Sequence, residues 1–380
     1  MSARARKLDL LTRARPASAS AIDAFLSENQ FPLVDGDTVS FVYRGAAEQV
    51  NLRHWVFGLP SVQPFKRSAS SDLWYLVMDI PERSRIEYKL EVIENGTGRW
   101  IQDPLNPHQA HDPFGSNSVC FGAGYAVPDW RLPDPESRQG GFDEISVRSD
   151  AFGETRTSRV YLPARFRPRR RYPLLVVHDG EDYVRFSGLK TILDNLIHRL
   201  EVQGMVVVLL SPRRRLREYG ADPAHADFVA DELLPALIEK YPLQDRPQSR
   251  CLMGASFGAV AALSTAWRKP DTFGNLLLQS GSFAFSDIGQ HHRGPEFDAV
   301  VEFMNEFRKN PGRPAERMFV SCGMYESLIY ENRSMVPLFQ KLADVRFVES
   351  RDGHNWENWR DRLREGLSWL FPGPMWLVYE

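Results

Sequence analysis

The chain has 380 residues, 43% of them hydrophobic and 25% charged, the composition of a globular protein with room for two domains and a sizeable core. A formal net charge of −2 argues against a general nucleic-acid binder, although arginines gather at 165–171 and 213–217. No stretch of about 18 apolar residues is present to span a membrane, and the three cysteines, Cys120, Cys251 and Cys322, are odd in number and far apart, which favours reduced core thiols over a disulfide framework.

Residues 1–17 read as disordered or extended. The basic start Met1-Ser2-Ala3-Arg4-Ala5-Arg6-Lys7 is not followed by an uninterrupted apolar run, so export by a standard signal is not expected and a cytoplasmic location is. On that reading the sequons at Asn95-Gly96-Thr97 and Asn332-Arg333-Ser334 are accidental. A short helix is expected over 20–29, with Ile22, Phe25 and Leu26 on one face. The texture then changes. Segments 39–44, 50–55, 72–78 and 86–93 alternate apolar and polar residues between Gly and Pro turns, the pattern of a small antiparallel, immunoglobulin-like sandwich. This all-β domain is expected over 1–126, with a linker rich in Pro, Gly and charge over 127–141. From 142 to 380, strands expected at 158–162, 174–177, 205–210, 250–253, 318–321 and 346–348 alternate with helical patterns, which predicts an α/β domain whose mainly parallel sheet is flanked by helices.

The most informative stretch is Gly254-Ala255-Ser256-Phe257-Gly258. A short apolar strand precedes it, and a helix rich in small residues follows from Ala259, so the stretch reads as the strand, sharp turn and helix of a nucleophile elbow. The glycines fit because side chains two residues either side of Ser256 would crowd the turn. A serine hydroxyl becomes a competent nucleophile only when a neutral imidazole takes its proton, and a carboxylate must hold that imidazole in one tautomer.

In an α/β-hydrolase the partners follow in the order acid, then histidine. An expected strand ending at Gly323 is followed by Met324-Tyr325-Glu326, and the next ends in Arg351-Asp352-Gly353-His354-Asn355 before a final helix from about Glu357 to Leu370. Glu326 is the candidate acid and His354 the candidate base. Asp352 lies nearer His354 in sequence, but a spacing of two in a tight loop rarely permits the side-chain geometry. Asp179 precedes the serine, the wrong order, and is read as fixing the backbone of its loop. Two backbone N–H groups should face the developing oxyanion: that of Phe257, and that of Gly180 or Glu181 in the turn after the 174–177 strand. The remaining candidates, His108 with His111 and His291 with His292, lack the helical spacing and intervening Glu of a zinc hydrolase, so no metal or cofactor is expected.

These residues resemble those of the enterochelin (ferric enterobactin) esterase-like branch of the α/β-hydrolases, with its esterase D-like and feruloyl esterase relatives. The resemblance is carried by Asp179-Gly180, Arg217-Glu218-Tyr219, Asp231-Glu232-Leu233-Leu234-Pro235, the serine elbow, Gly323 with Glu326, Asn332 six residues on, and Asp352-Gly353-His354. It implies an α/β-hydrolase fold, the triad Ser256, Glu326 and His354, and a substrate-facing role for Arg217. The 1–126 segment looks like an early-set module: Tyr88-Lys89, Gly96, Trp100 and Asp103-Pro104-Leu105-Asn106-Pro107 are similar to the end of a glycogen-binding module, in which Lys89 and Trp100 would meet sugar. The plainer reading packs Trp100 in a domain interface.

Three functions compete. The leading one is a serine esterase that cleaves an ester or lactone through an acyl-enzyme, with a catecholate siderophore as substrate and Arg213, Arg214, Arg215 and Arg217 of the local arginine run, Arg214 and Arg217 foremost, meeting its anionic groups. The second is a carbohydrate acyl or feruloyl esterase with a glycan-binding front module. The third is a non-catalytic binding protein on a hydrolase fold. The only partner implied is a small-molecule ester, with no nucleic acid and no membrane; no pattern in the chain fixes an oligomeric state.

Overall fold

The computed structural model describes residues 8, 18–69, 71–286 and 293–374. The expected disordered or extended leader lies outside them except for Leu8, as do His291 and His292. The chain forms two compact units: the first holds the residues up to Val127 together with Gly323–Glu326 and Ser350–Asn355, and the second holds the rest.

The first unit opens with helix α1 (Ala19–Ser27), capped by the Ser18 hydroxyl accepting from the Ala21 N–H. Its Ile22 and Phe25 are buried with Phe31, Leu33, Val42 and Leu73. Ten strands follow: β1 (Leu33–Asp35), β2 (Thr38–Arg44), β3 (Gln49–His54), β4 (Val62–Pro64), β5 (Lys66–Arg67), β6 (Leu73–Asp79), β7 (Arg85–Glu94), β8 (Thr97–Ile101), β9 (Gln109–Asp112) and β10 (Gly115–Phe121). They make two sheets, β1-β2-β6-β5 and β4-β3-β7-β10-β9, with β8 also paired to β7. The period of two is visible along β7, where Tyr88, Leu90 and Val92 enter the core with Phe41, Val50 and Leu52. Each such side chain, when fully buried, contributes about 1.5–3 kcal/mol. Tyr88 also stacks edge-on against Phe41 and donates to Asp103 at 2.7 Å, so the Asp-Pro turn is tied to the core.

In the second unit a single eight-stranded sheet runs through β11 (Gly141–Ser149), β12 (Glu154–Leu162), β13 (Leu174–Val177), β14 (Val206–Leu209), β15 (Arg250–Ala255), β16 (Asn275–Gln279), β17 (Arg317–Gly323) and β18 (Asp344–Ser350). Its order is β11-β12-β14-β13-β15-β16-β17-β18. The pairings β11 to β12 and β12 to β14 are antiparallel, while β14, β13, β15, β16 and β17 pair in parallel. All four residues of β13 and of β14 are buried, as expected where a parallel sheet is covered on both faces. One face, with Leu174, Val176, Leu252 and Leu276, packs against Ala259 to Ala262 of the helix after β15; the other, with Leu175, Val177, Met253 and Leu277, packs against Leu189, Ile192, Leu363 and Leu367.

Helices complete the layers: α2 (Gly180–Phe186), α3 (Leu189–His198), α4 (Arg215–Tyr219), α5 (Pro223–Asp227), a π-helical turn at Phe228–Leu233, α6 (Leu234–Lys240), α7 (Phe257–Arg268), α8 (Asp298–Lys309), α9 (Ile329–Leu342) and α10 (Trp356–Leu370). In the second unit two strands fall where none is expected from sequence. β16 is a run of three leucines without a β-branched residue, so neither alternation nor propensity marks it. β11 begins inside the Gly-rich end of the expected linker. Among the described residues no helix is long and apolar enough to cross a membrane.

Candidate active site

Ser256 sits between β15 and α7 with φ 57° and ψ −122°, a conformation that costs a non-glycine residue about 1–3 kcal/mol and persists only where the surroundings enforce it. They do. The Ser256 N–H donates to the Gln279 carbonyl at 3.0 Å, and its own carbonyl accepts from Ala259 at 3.1 Å and Ser282 at 3.2 Å. A Cβ on Gly254 would lie 2.3 Å from the Gly258 backbone, so the strand and the first helical turn can approach only with glycine there.

The Ser256 hydroxyl is 3.1 Å from that of Ser282, a residue not singled out by the sequence pattern. Ser282 follows the unforeseen strand β16, and its position is fixed through Gly281, whose N–H and carbonyl are both held by the buried Asn332 side chain. The sequon at Asn332 is thus enclosed. The signal was present in Ser280-Gly281-Ser282, but only a placed β16 gives it meaning.

Phe257 opens α7, and the first N–H groups of a helix lack intrahelical partners. The loop after β13 behaves differently from expectation. The Gly180 N–H is engaged by the Leu210 carbonyl at 2.9 Å, so of the two expected donors there Gly180 is excluded and Glu181 remains. Gly180 is instead required for packing, since a Cβ on it would stand 2.4 Å from Leu209 Cα. Asp179, left-handed at φ 53°, receives the Arg215 guanidinium from Nε at 3.0 Å and Nη2 at 2.7 Å, while its N–H donates to the Tyr219 hydroxyl. Behind it, the buried His178 and His225 face each other at 3.0 Å between Nε2 atoms, and burial lowers the pKa of both, to about 4 for His178.

Arginine therefore does reach this loop, but through Arg215. Arg214 and Arg217 are exposed, Arg217 at 72% of its side chain, with Asp222 at 3.9 Å. Both line a surface cavity of about 390 Å³ shared with Glu154, Glu218 and Asp222, and Arg217 lines a second of about 680 Å³ with Asp222, Trp267 and Arg268; neither cavity includes Ser256, Phe257 or Glu181.

Glu326 and His354 both belong to the first unit. Glu326 is buried; its Oε1 accepts the Gly323 N–H at 2.6 Å and its Oε2 meets His354 Nδ1 at 2.5 Å. The imidazole is thereby held by a carboxylate on one nitrogen, with its other ring nitrogen on the opposite edge and 36% of the side chain exposed. Asp352 has another occupation. Its Oδ1 accepts from the Gly353 N–H at 2.7 Å, Asn355 Nδ2 at 2.8 Å and Arg85 Nη1 at 3.2 Å, and burial pushes its pKa up to about 6 against the opposing pull of Arg85. Trp100, expected in an interface, is half exposed in the first unit, donates to Glu91 at 3.2 Å and carries the Arg53 guanidinium over its ring. Among the described residues no group of three or more His, Cys, Asp or Glu side chains is placed to hold a metal ion.

Residues 149–370 match the family described as "Putative esterase". An iron(III) enterobactin esterase of Escherichia coli O6:H1 is 27% identical over 277 residues, 69% of this chain and 68% of that one. An endo-1,4-beta-xylanase/feruloyl esterase of Xylanibacter ruminicola is 24% identical over 70% of this chain and 36% of its own. In fold, the chain is similar to the crystal structure of the enterobactin esterase from Shigella flexneri determined in the presence of enterobactin, with a TM-score of 0.71 at 22% identity over 94% of this chain and 99% of that one.

Proposed function

We propose, from the premise that this chain belongs to the esterase family its residues 149–370 match and so acts on esters, that it is a serine esterase working through an acyl-enzyme. The observation that carries the proposal is the 2.5 Å contact of Glu326 with His354 Nδ1, which leaves Nε2 as the nitrogen able to take a proton. In the first half-reaction Ser256 Oγ bonds to the ester carbonyl carbon as His354 accepts its proton. The carbonyl oxygen becomes an oxyanion facing the N–H groups of Phe257 and Glu181, each worth about 2.7–4 kcal/mol if it is aligned. The carbon–oxygen ester bond then breaks and the leaving alcohol takes the proton from His354. Water repeats the sequence on the acyl-enzyme, giving its proton to His354 and releasing the acid and free Ser256.

For the substrate, the leading proposal is an ester or lactone of a catecholate siderophore. The Escherichia coli relative is named for iron(III) enterobactin, and its similarity extends over about two thirds of both chains. A carbohydrate acyl or feruloyl ester is the second reading, favoured by the half-exposed Trp100 and by the Xylanibacter relative. Cys120, Cys251 and Cys322 are buried and in no disulfide, which fits a reducing, cytoplasmic setting. The test is a panel of a siderophore trilactone, a feruloylated oligosaccharide and short nitrophenyl esters, run beside Ser256→Ala. Turnover of the trilactone that Ser256→Ala abolishes supports the first reading; turnover of the feruloyl ester alone supports the second; hydrolysis unchanged by Ser256→Ala would overturn both.

A further inference from the structure

The first strand residue of β7, Arg85, is a fully buried arginine. Its N–H donates to the Arg351 carbonyl at 2.8 Å; Nη1 donates to Asp352 at 3.2 Å and to Asn355 at 2.9 Å; Nη2 donates to Glu87 at 2.9 Å. Asp352 and Asn355 bracket His354, so one guanidinium grips the loop on both sides of the imidazole. The neighbouring Ser84 hydroxyl lies 2.6 Å from that of Tyr325, the residue before Glu326, and Tyr325 is tied to the histidine loop by its N–H to the Asp352 carbonyl at 3.0 Å. All of these groups lie within the first unit.

We infer that Arg85 is a positioning residue for the esterase reaction, holding the loop that carries His354 so that the imidazole stays on Glu326. The inference rests on the triad proposed above. A buried cation held by polar partners is an expensive device if all it does is stabilise the sandwich, because an apolar residue of similar volume would serve there. A planar fork able to address Asp352, Asn355 and Glu87 at once is what the loop requires, and lysine cannot reproduce it. Loss of the grip acts on the rate because a displacement of about 1 Å at a catalytic group can cost on the order of a hundredfold.

The experiment compares Arg85→Met and Arg85→Lys with the wild type in the full-length chain, using a nitrophenyl ester, the rate of fluorophosphonate labelling and the melting temperature. The expected result for Arg85→Met is a kcat lower by roughly 10- to 100-fold with KM within about twofold, and labelling slowed by the same factor. Arg85→Lys should recover part of the loss. The same substitution in a Glu326→Gln background should cost much less, since the imidazole is already poorly held; a merely structural role would lower both backgrounds by one factor. A wild-type kcat in folded Arg85→Met overturns the inference, as does an equal factor in both backgrounds. If Arg85→Met does not fold, Arg85→Lys decides: a lower kcat at unchanged melting temperature supports the role, and an unchanged kcat overturns it. Failure of the triad itself is read separately, from Ser256→Ala that still hydrolyses as the wild type does.

Discussion

The turn at Ser256 and the pair Glu326–His354 are held in contrasting ways. The turn is local: its strand, its glycines and its helix are contiguous in sequence, and the strain at Ser256 is enforced by hydrogen bonds to the adjacent β16. The pair is not local. Its two residues are 28 apart, and the loops bearing them belong to the unit that includes β7, where they contact Ser84 and Arg85 at its start across 241 to 270 positions of sequence. A contiguous motif can be moved by evolution as one piece, whereas the acid–base pair depends on contacts that only the folded chain assembles. The elbow should therefore fail abruptly and the pair by degrees.

The largest effect expected is on the elbow and its base. Ser256→Ala and His354→Ala should each lower kcat by about three or more orders of magnitude without unfolding, and the double variant should be little worse than either, because residues acting as one unit do not lose additively. Steady-state kinetics on all three checks this; additive losses would separate the serine from the histidine. Next comes the carboxylate. Glu326→Gln should cost roughly a hundredfold or more in kcat, because an amide can hold the imidazole but cannot stabilise the imidazolium. Asp352→Asn should cost far less, and the reverse order would move the acid to Asp352.

A thermodynamic contrast sharpens the same distinction. The Asp352 carboxyl is raised from 3.8 to about 6 by burial, so the folded state binds its proton more tightly than the unfolded one. A raised folded pKa gives a contribution that is present below about pH 4 and lost as pH rises to about 6, of roughly 3 kcal/mol. Melting temperatures of the wild type should therefore fall relative to Asp352→Asn across that window. Parallel curves would mean that Asp352 is already ionised throughout it.

The smallest contrast concerns the arginines. Arg215→Ala removes the guanidinium from Asp179 beside the Glu181 loop and should lower kcat by roughly tenfold on any ester. Arg217→Ala, on an exposed side chain, should change turnover of a neutral nitrophenyl ester by less than about twofold. A loss confined to an anionic substrate would restore Arg217 as a specificity residue.

What the sequence made legible follows the same division. The serine turn, the two classes of architecture and the six α/β strands expected from apolar runs are patterns of neighbouring residues, and they appear in the fold. β16 escaped because Leu276, Leu277 and Leu278 carry no strand signature, and Ser282 was hidden with it. The choice between Gly180 and Glu181 could not be made from residue type, since it depends on where the Leu210 carbonyl lies. Arg85 was invisible for the deepest reason: its partners in the histidine loop are more than 260 residues away, and nothing in the local pattern of β7 distinguishes it from a surface arginine.

The proposed mechanism makes Ser256 a nucleophile activated by His354 on Glu326. Its most direct test is fluorophosphonate labelling followed by peptide mapping, on the wild type and on His354→Ala. A single adduct on Ser256 is expected, formed rapidly in the wild type and slower by about a thousandfold or more without the imidazole. An adduct on another residue, or labelling of Ser256 at the same rate in both proteins, would contradict it.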